Sequence, residues 1–214
     1  MIQIKICGIT QPEQGQAIAQ QGATALGFIC ARQSPRYVAP AQIKAVAVTL
    51  PESLERVGVF VNASIPEILS VVEVAALTAV QLHGEESPEF CEQLRKQIPS
   101  LKVMKAFRVR QPEVLNQVET YTCVVDSVLL DAYHPTQHGG TGRSIDWSTL
   151  QGFRPLVPWY LAGGLTPDNV VEAIAVARPD GVDLSSGVEY SPGQKDLEKV
   201  NQLFTRLRCE GLIS

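Results

Sequence analysis

Apolar and polar residues follow two patterns of different length along the chain. Short apolar runs rich in valine, isoleucine and leucine are bounded by turn residues, which predicts buried β-strands. Longer stretches with apolar residues at helical spacing lie between these runs and predict amphipathic helices. The strands are predicted at residues 2–7, 25–29, 57–61, 79–82, 102–107, 124–131, 159–162 and 181–184. The helices are predicted at residues 12–21, 41–49, 66–75, 88–97, 112–118, 147–151, 167–177 and 196–208.

Strands that alternate with helices predict βαβ units and a parallel sheet. The predicted strands are continuously apolar, which is typical of a sheet that helices cover on both faces. Eight strand–helix pairs favour an α/β fold of the closed (β/α)8 TIM-barrel type, and an open flavodoxin-like sheet remains the alternative. No linker and no shift in composition interrupts the 214 residues, so we predict a single domain over residues 1–214.

Composition and charge exclude several classes of protein. With 45% hydrophobic and 19% charged residues, the chain can bury a large core. A net charge of −4 without a basic tract argues against nucleic acid or an anionic membrane as a partner. The sequence shows no signal peptide and no apolar run of about 18 residues, so we expect a cytoplasmic protein. Five scattered cysteines without a C-x-x-C pair indicate reduced thiols rather than disulfides or a zinc site.

The ends of the predicted strands carry residues capable of chemistry. In a (β/α)8 barrel the active site lies at the carboxyl ends of the strands. Cys7 ends the first predicted strand, His83 follows the fourth, Asp131 ends the sixth and Asp183 lies near the end of the eighth. We therefore expect these four side chains at one mouth of the barrel. Asp126 begins the sixth predicted strand and is expected at the opposite face.

Two glycine-rich loops predict a phosphate site. "LAGGL" follows the seventh predicted strand and contains Gly163 and Gly164, and "VDLSSGVE" spans the end of the eighth and contains Ser185, Ser186 and Gly187. Glycine turns and helix N-termini offer backbone N–H groups to an anion. Phosphate-binding barrels place this group at the loops after strands seven and eight. The two loops together therefore favour a phosphorylated ligand over ordinary turns.

The loop after the second predicted strand, "ARQSPRYV", contains Arg32 and Arg36. A guanidinium can bind a carboxylate through two parallel hydrogen bonds, so either arginine could hold a carboxylate of the ligand. Arginines on a surface loop are equally often solvated, and the sequence leaves this choice open.

A long glycine-rich loop, "HPTQHGGTGRSIDW", begins three residues after Asp131 and is suited to a mobile lid. Its lid glycines are Gly139, Gly140 and Gly142. His134 and His138 stand four residues apart, but Pro135 and the glycines argue against a helix that would align them on a metal ion. We therefore predict no metal site.

The motifs "KICGIT", "QLHG", "LLD", "GGTG", "LAGGL" and "VDLSSGVE" occur in this order from the start of the chain to residue 189. This series resembles the phosphoribosylanthranilate isomerase family of tryptophan biosynthesis. The resemblance implies a (β/α)8 barrel without a cofactor that converts N-(5-phosphoribosyl)anthranilate to 1-(2-carboxyphenylamino)-1-deoxyribulose 5-phosphate. It also implies that Cys7 is the general base, Asp131 the general acid and Arg36 the residue that binds the anthranilate carboxylate.

The chemistry of an Amadori rearrangement agrees with these residues. An acid protonates the ring oxygen as the sugar opens, and a base then removes the proton from C2. The implied partner is a small phosphosugar, with His83, Asp183 and the two glycine-rich loops expected among its contacts. The sequence leaves a monomer or a homodimer equally open.

Three rival functions need other features. A metal-dependent epimerase would place paired histidines and carboxylates at strand ends, where only His83 is expected. A Schiff-base aldolase needs a desolvated lysine, for which Lys5 and Lys105 are candidates. We instead predict that Lys5 is the buried partner of an interior carboxylate such as Asp183. A catalytically inactive phosphosugar-binding protein is the third rival, and a turnover assay separates it from an enzyme.

Overall fold

Eight parallel strands form a closed barrel, so all their carboxyl ends lie at one mouth and all their amino ends at the other. A computed structural model describes residues 1–109, 111–131 and 147–213. Neighbouring strands in this part of the chain pair in sequence order, and β8 pairs back with β1 to close the barrel. The open flavodoxin-like alternative is therefore wrong. The strands are β1 (Gln3–Cys7), β2 (Ala25–Ile29), β3 (Glu55–Phe60), β4 (Ala79–Leu82), β5 (Lys102–Arg108), β6 (Ser127–Asp131), β7 (Trp159–Ala162) and β8 (Gly181–Leu184).

The helices alternate with the strands along the chain, and α7 follows the last of them. Their bounds are α1 (Pro12–Gln21), α2 (Pro40–Ala47), α3 (Ile65–Ala75), α4 (Pro88–Gln97), α5 (Leu115–Val118), α6 (Val170–Ala177) and α7 (Leu197–Cys209). The first four helices carry proline in their first turn, where the missing N–H would have had no helical partner. Side chains cap other helix starts: Asp196 accepts hydrogen bonds from the amides of Glu198 and Lys199.

Two structural layers follow from the alternation of side chains along each strand. Ile4 and Ile6 of β1 belong to the large apolar cluster that also contains helical residues such as Ile18 and Leu203. Because neighbouring residues of a strand point to opposite faces, Lys5 and Cys7 point into the barrel. The strands are thus buried on both faces, which explains their continuously apolar sequences.

Several connections differ from the predicted helices. The segment between β5 and β6 contains only a 3-10 turn (Pro112–Val114), the short α5 and a second 3-10 turn (Glu119–Tyr121). Residues Trp147–Leu150 form a 3-10 turn, where an α-helix had been predicted. α6 begins at Val170 and not at Pro167, because the Asn169 side chain accepts a hydrogen bond from the Thr166 amide and holds the preceding residues in a turn.

A short antiparallel hairpin after β8 has no counterpart among the predicted elements. It consists of β9 (Glu189–Ser191) and β10 (Gln194–Lys195), and it places Glu189 opposite Lys195. In the part of the chain that the structure describes, no helix has both the length and the apolar character needed to cross a membrane.

Candidate active site

A cavity of about 360 Å³ opens at the carboxyl ends of the strands. It brings together nine of the residues that the sequence singled out: Cys7, Arg36, His83, Asp131, Gly163, Gly164, Asp183, Ser185 and Ser186. Gly187 does not line the cavity. A Cβ at that position would lie 1.9 Å from the Leu165 carbonyl oxygen, so Gly187 lets the loop after β8 pack against the loop after β7. The lid glycines Gly139, Gly140 and Gly142, with His134 and His138, lie outside the described residues.

Cys7 is the last residue of β1, and its side chain is almost completely buried beside β2. Its partner in the sheet is Gly27, where an added Cβ would lie 2.6 Å from the Cys7 sulfur. Burial raises the pKa of the Cys7 thiol, and the ammonium groups of Lys5 and Lys195 offset only part of this effect. Burial therefore favours the protonated thiol, and the charges of Lys5 and Lys195 act in the opposite direction and stabilise the thiolate.

Lys5 and Asp183 form a buried ion pair inside the barrel. The Lys5 Nζ atom lies 2.7 Å from Asp183 Oδ2, and the Lys5 side chain is completely buried. This confirms the predicted partner of Lys5. Burial alone would lower the pKa of Lys5, but Asp183 and Cys7 outweigh it and raise that pKa. Lys5 therefore stays protonated at neutral pH, which disfavours a Schiff-base role.

Lys105 is also engaged, in a second buried ion pair beside the cavity. Its Nζ lies 3.1 Å from Glu86 Oε2 and 2.7 Å from the Gly84 carbonyl oxygen. Glu86 in turn accepts hydrogen bonds from the amides of Asn62 and Gly84. The pair ties the loop that carries His83 to β5, so both candidate lysines have structural partners.

Asp131 ends β6 and faces His83 across the cavity. The distance between His83 Nε2 and Asp131 Oδ2 is 3.4 Å. On its other side His83 Nδ1 lies 3.0 Å from the Gln81 side-chain nitrogen. In the His83 tautomer that accepts the Gln81 amide at Nδ1, the ring proton lies on Nε2, the nitrogen nearest Asp131. Gln81 also lines the cavity, a position that the motif "QLHG" does not indicate.

Of the two arginines in the loop after β2, Arg36 lines the cavity. The Arg32 guanidinium lies instead 6.0 Å from the centre of the Tyr37 ring. The Arg36 guanidinium also pairs with the Glu189 carboxylate. Its Nε donates to Oε1 at 3.0 Å and to Oε2 at 3.1 Å, and its Nη2 donates to Oε2 at 2.6 Å. Lys195 Nζ lies 2.7 Å from the same carboxylate. Sequence reasoning missed this cluster, although Glu189 ends the quoted motif "VDLSSGVE".

The two glycine-rich loops face each other at one side of the cavity. Gly163 and Gly164 adopt positive φ angles of 91° and 66°, which aim their amides away from the strand direction. Within the described residues, the amides of Gly163, Gly164, Ser186 and Gly187 donate no hydrogen bond to the protein. The loop after β7 is held by Asn169, whose side-chain nitrogen donates to the Gly164 carbonyl oxygen at 3.0 Å. These amides can therefore donate hydrogen bonds to a bound anion.

Asp126 lies at the opposite end of β6 from Asp131, as the sequence predicts. Its carboxylate accepts a hydrogen bond from the Val103 amide at 2.7 Å and lies 3.3 Å from Arg95 Nη2. It borders a separate cavity at the amino ends of the strands, together with Tyr160. In the described part of the chain, histidine, cysteine and acidic side chains do not form a group of three that could hold a metal ion.

Comparison with known proteins agrees with this arrangement. The model of the family described as N-(5′-phosphoribosyl)anthranilate (PRA) isomerase matches residues 4–206. A protein of Trichormus variabilis named N-(5′-phosphoribosyl)anthranilate isomerase is 57% identical over 206 residues, which cover 96% of this chain and 98% of that protein.

Two solved structures are similar over nearly the whole chain. The phosphoribosyl anthranilate isomerase of Thermotoga maritima has a TM-score of 0.89 at 37% identity and covers 98% of this chain and 100% of that one. A phosphoribosyl anthranilate isomerase in complex with reduced 1-(o-carboxyphenylamino)-1-deoxyribulose 5-phosphate has a TM-score of 0.86 at 36% identity, with the same coverage. The closed barrel, the residues around its cavity and these matches lead to one conclusion: the chain belongs to the N-(5′-phosphoribosyl)anthranilate isomerase family.

Proposed function

We propose that this chain isomerises N-(5′-phosphoribosyl)anthranilate to 1-(2-carboxyphenylamino)-1-deoxyribulose 5-phosphate in L-tryptophan biosynthesis, with Cys7 as general base and Asp131 as general acid. The observation that carries the assignment of these roles is the placement of a thiol and a carboxyl group on separate strands around one cavity, beside two loops with unused amides. Family membership and the product-like ligand of the related structure support the substrate class.

The first step opens the ribose ring. Asp131 donates a proton to the ring oxygen while the bond between that oxygen and C1 breaks, which leaves a protonated Schiff base between C1 and the anthranilate nitrogen. His83, 3.4 Å from Asp131, orients the carboxyl group for this transfer. The positive nitrogen then makes the proton on C2 acidic.

The second step removes the C2 proton. Cys7 takes it as the thiolate, whose charge Lys5 and Lys195 stabilise, and an enolamine forms. The enolamine gains a proton at C1 and loses the proton of its 2-hydroxyl group, giving the ketone. Two protons enter the substrate and two leave it, so the rearrangement is balanced without a redox partner.

Binding of the two ends of the substrate is assigned to different loops. We expect the phosphate, which needs N–H donors and carries negative charge, to bind the amides of Gly163, Gly164 and Ser186, which line the cavity, and of the adjacent Gly187. Arg36, which lines the cavity from the loop after β2, binds the anthranilate carboxylate. Asp183, which lines the cavity between β1 and β7, contributes an acceptor for a sugar hydroxyl.

The direct test is turnover of phosphoribosylanthranilate by the purified protein, followed through the fluorescence of the anthranilate group. Chelation of metal ions before the assay also tests the prediction that no metal or cofactor is needed. We expect full activity after chelation, and substrate decay at the uncatalysed rate would contradict the proposal. A sample without the protein provides the uncatalysed rate.

The remaining expectations concern the protein as a whole. A phosphosugar metabolite, a charge of −4 and reduced cysteines favour the cytoplasm as its location. Residues 1–214 are proposed to form one domain that works as a monomer or a homodimer. Sedimentation of the purified protein distinguishes these two states.

A further inference from the structure

Glu189 is a buried carboxylate beside the cavity that the reaction described above does not use. It begins the hairpin of β9 and β10, and only 7% of its surface is exposed. Its two oxygens accept hydrogen bonds from Arg36, Lys195 and the Gly193 amide. A buried carboxylate is stable only when hydrogen bonds and opposite charges compensate its loss of water, as they do for Glu189. The same hydrogen bonds hold the side chains of Arg36 and Lys195 in place.

The cluster of Arg36, Glu189 and Lys195 is anchored from several directions. Glu189 and Lys195 are direct partners across the hairpin, so the backbone sets their spacing. Lys195 Nζ also donates to the Ser185 carbonyl oxygen at 3.2 Å, and Thr10 Oγ1 donates to the Gly193 carbonyl oxygen at 2.7 Å. The hairpin is thus tied to the loops after β1 and β8.

The cluster also packs closely on the turn that follows the catalytic thiol. A Cβ at Gly8 would lie 2.9 Å from Arg36 Cδ and 3.5 Å from Glu189 Oε1. Gly8 has a positive φ of 84°, which any other residue adopts with strain. The stem of Arg36 is therefore confined between Gly8 and Glu189 before a ligand arrives.

Charge and geometry give this cluster a specific use. A guanidinium can bind a carboxylate through Nε and one terminal nitrogen, or through its two terminal nitrogens. Glu189 binds Arg36 in the first way, through Nε and Nη2. Arg36 and Glu189 alone would be a neutral pair, but Lys195 restores a net positive charge to the cluster. A ligand carboxylate would thus meet a guanidinium that is both oriented and still electropositive.

We propose that Glu189, itself held by Lys195, is a positioning residue that orients the Arg36 guanidinium and thereby sets the preference of the enzyme for a substrate with a carboxylated aromatic ring. This inference rests on the proposed function, in which Arg36 binds that carboxylate. Pre-orientation favours binding because the arginine side chain loses less conformational freedom when the ligand binds.

The charges of the cluster are consistent with this use. Burial would raise the pKa of the Glu189 carboxyl, but hydrogen bonds from Arg36 and Lys195 outweigh it and hold that pKa below its usual value. Glu189 therefore remains a carboxylate across the pH range in which the enzyme would work.

If Glu189 positions Arg36, Glu189→Gln should change the affinity for a carboxylate ligand in the opposite direction from that expected of its charge alone. Removal of a negative charge next to Arg36 would tighten binding of a carboxylate ligand if charge alone mattered. Loss of orientation would weaken it. The experiment compares the dissociation constants of two ligands: reduced 1-(2-carboxyphenylamino)-1-deoxyribulose 5-phosphate and the same compound with an unsubstituted phenyl ring. The proteins compared are the wild type, Arg36→Met, Glu189→Gln and the double variant.

We expect the wild type to prefer the carboxylated ligand by on the order of tenfold or more, and Glu189→Gln to lose most of this preference while KM rises more than kcat falls. The double variant should lose no more than Arg36→Met alone, because Glu189 acts through Arg36. Glu198→Gln, at an exposed position on α7, makes the same change in net charge and should keep the preference.

Three results would overturn the positioning role. One is tighter binding of the carboxylated ligand by Glu189→Gln, and another is an equal loss for both ligands. The third is a wild-type protein that turns over its substrate but binds both ligands alike, which would leave the isomerase assignment intact. If Glu189→Gln does not fold, Glu189→Gln combined with Lys195→Met restores the charge balance, and the same loss of preference is expected.

Discussion

Single side chains in this site are placed by the strand on which they lie. Lys5 and Cys7 are two residues apart on β1 and therefore share the interior face. Asp131 and Asp126 lie at opposite ends of β6 and face different cavities. The position of a residue along its strand therefore determines which cavity it faces. Substitutions at these positions test whether the residue serves the reaction or the stability of the fold.

Cys7→Ser should lower kcat by roughly 10²–10⁴-fold and leave the fold intact, because a hydroxyl is a far weaker base than a thiolate but nearly the same shape. Steady-state kinetics and thermal unfolding measure the two effects. Cys30→Ser is the matched control, since Cys30 is partly buried at the end of the neighbouring strand and does not line the cavity. Near-normal turnover by Cys7→Ser would mean that Cys7 only fills space.

Asp131→Asn should slow ring opening by roughly 10²–10⁴-fold, because an amide of the same shape has no acidic proton to donate. Binding of the reduced product analogue should survive, which calorimetry can measure. Asp126→Asn is the internal control: it weakens contacts to Val103 and Arg95, should cost about 1–3 kcal/mol of stability and should leave kcat nearly unchanged. The reverse result would mean that the register assigned to β6 is wrong.

At the scale of elements, the loops after β7 and β8 form one unit although Gly164 and Gly187 are 23 positions apart in the sequence. Gly187 lets the two loops touch, and Asn169 fixes the first of them. The amides of both loops therefore converge on the same region of the cavity. An anion bound there would be held by backbone atoms, so a change of backbone is the appropriate probe.

Gly164→Ala should weaken binding of inorganic phosphate or sulfate. Gly164 lines the cavity, and no atom lies within 4 Å of the place where its Cβ would be, so the added methyl group would compete with the anion for this space. Gly152 has a similar positive φ and equally open surroundings away from the site. Gly152→Ala therefore carries a similar strain, on the order of 1 kcal/mol, without the effect on the anion.

The measurement is the rise in melting temperature with added sulfate at constant ionic strength. A sulfate concentration of about 100 times the dissociation constant should stabilise the folded state by about 2.7 kcal/mol. The wild type and Gly152→Ala should show this rise, and Gly164→Ala should show a much smaller one. An equal rise in all three proteins would place the anion elsewhere.

The sequence predicts the strands better than the connections between them. Buried strands such as β2 and β7 are read directly from continuous apolar runs, and both match their predicted bounds. The hairpin of β9 and β10 is too short and too polar to produce such a pattern. It is stabilised by charged contacts instead, and those depend on residues that lie far apart in the sequence.

The same limit applies to the site. Cys7, Asp131 and the glycine loops could be placed because each ends or follows a strand. Arg36 and Glu189 are 153 residues apart, so neither sequence pattern nor spacing indicates their contact. The chemistry of arginine predicts a carboxylate ligand for Arg32 or Arg36, and the family resemblance selects Arg36, but neither indicates that a carboxylate of the protein already binds part of it.

At the scale of the whole molecule, the cysteines shape how stability depends on pH. Burial raises the pKa of Cys30 to about 12 and that of Cys91 to about 11. It raises the pKa of Cys7 as well. In the unfolded chain these thiols ionise near their ordinary pKa of about 8.5, so above this pH the unfolded state binds fewer protons than the folded state. The free energy of unfolding therefore falls as pH rises.

We expect the urea midpoint to decline between about pH 8 and about pH 10.5, the range in which only the unfolded thiols ionise. Cys91→Ala should be less stable at every pH because it leaves a cavity, yet its decline should be shallower. Cys209→Ala, at the exposed end of α7, is the control and should decline like the wild type. Identical slopes for Cys91→Ala and the wild type would contradict this account.

Ring closure between β1 and β8 also governs when the site can exist during synthesis. Lys5 and Asp183, joined across that seam, are 178 positions apart, so the pair forms only after nearly the whole chain has been made. Until β8 has been made, β1, which carries Cys7, can pair only with β2. A contact of such long range is entropically costly to form early and is slow to find. With the proposed roles of Cys7 and Asp183, we expect no activity from an incomplete translation product, so the appearance of activity would report that the ring has closed.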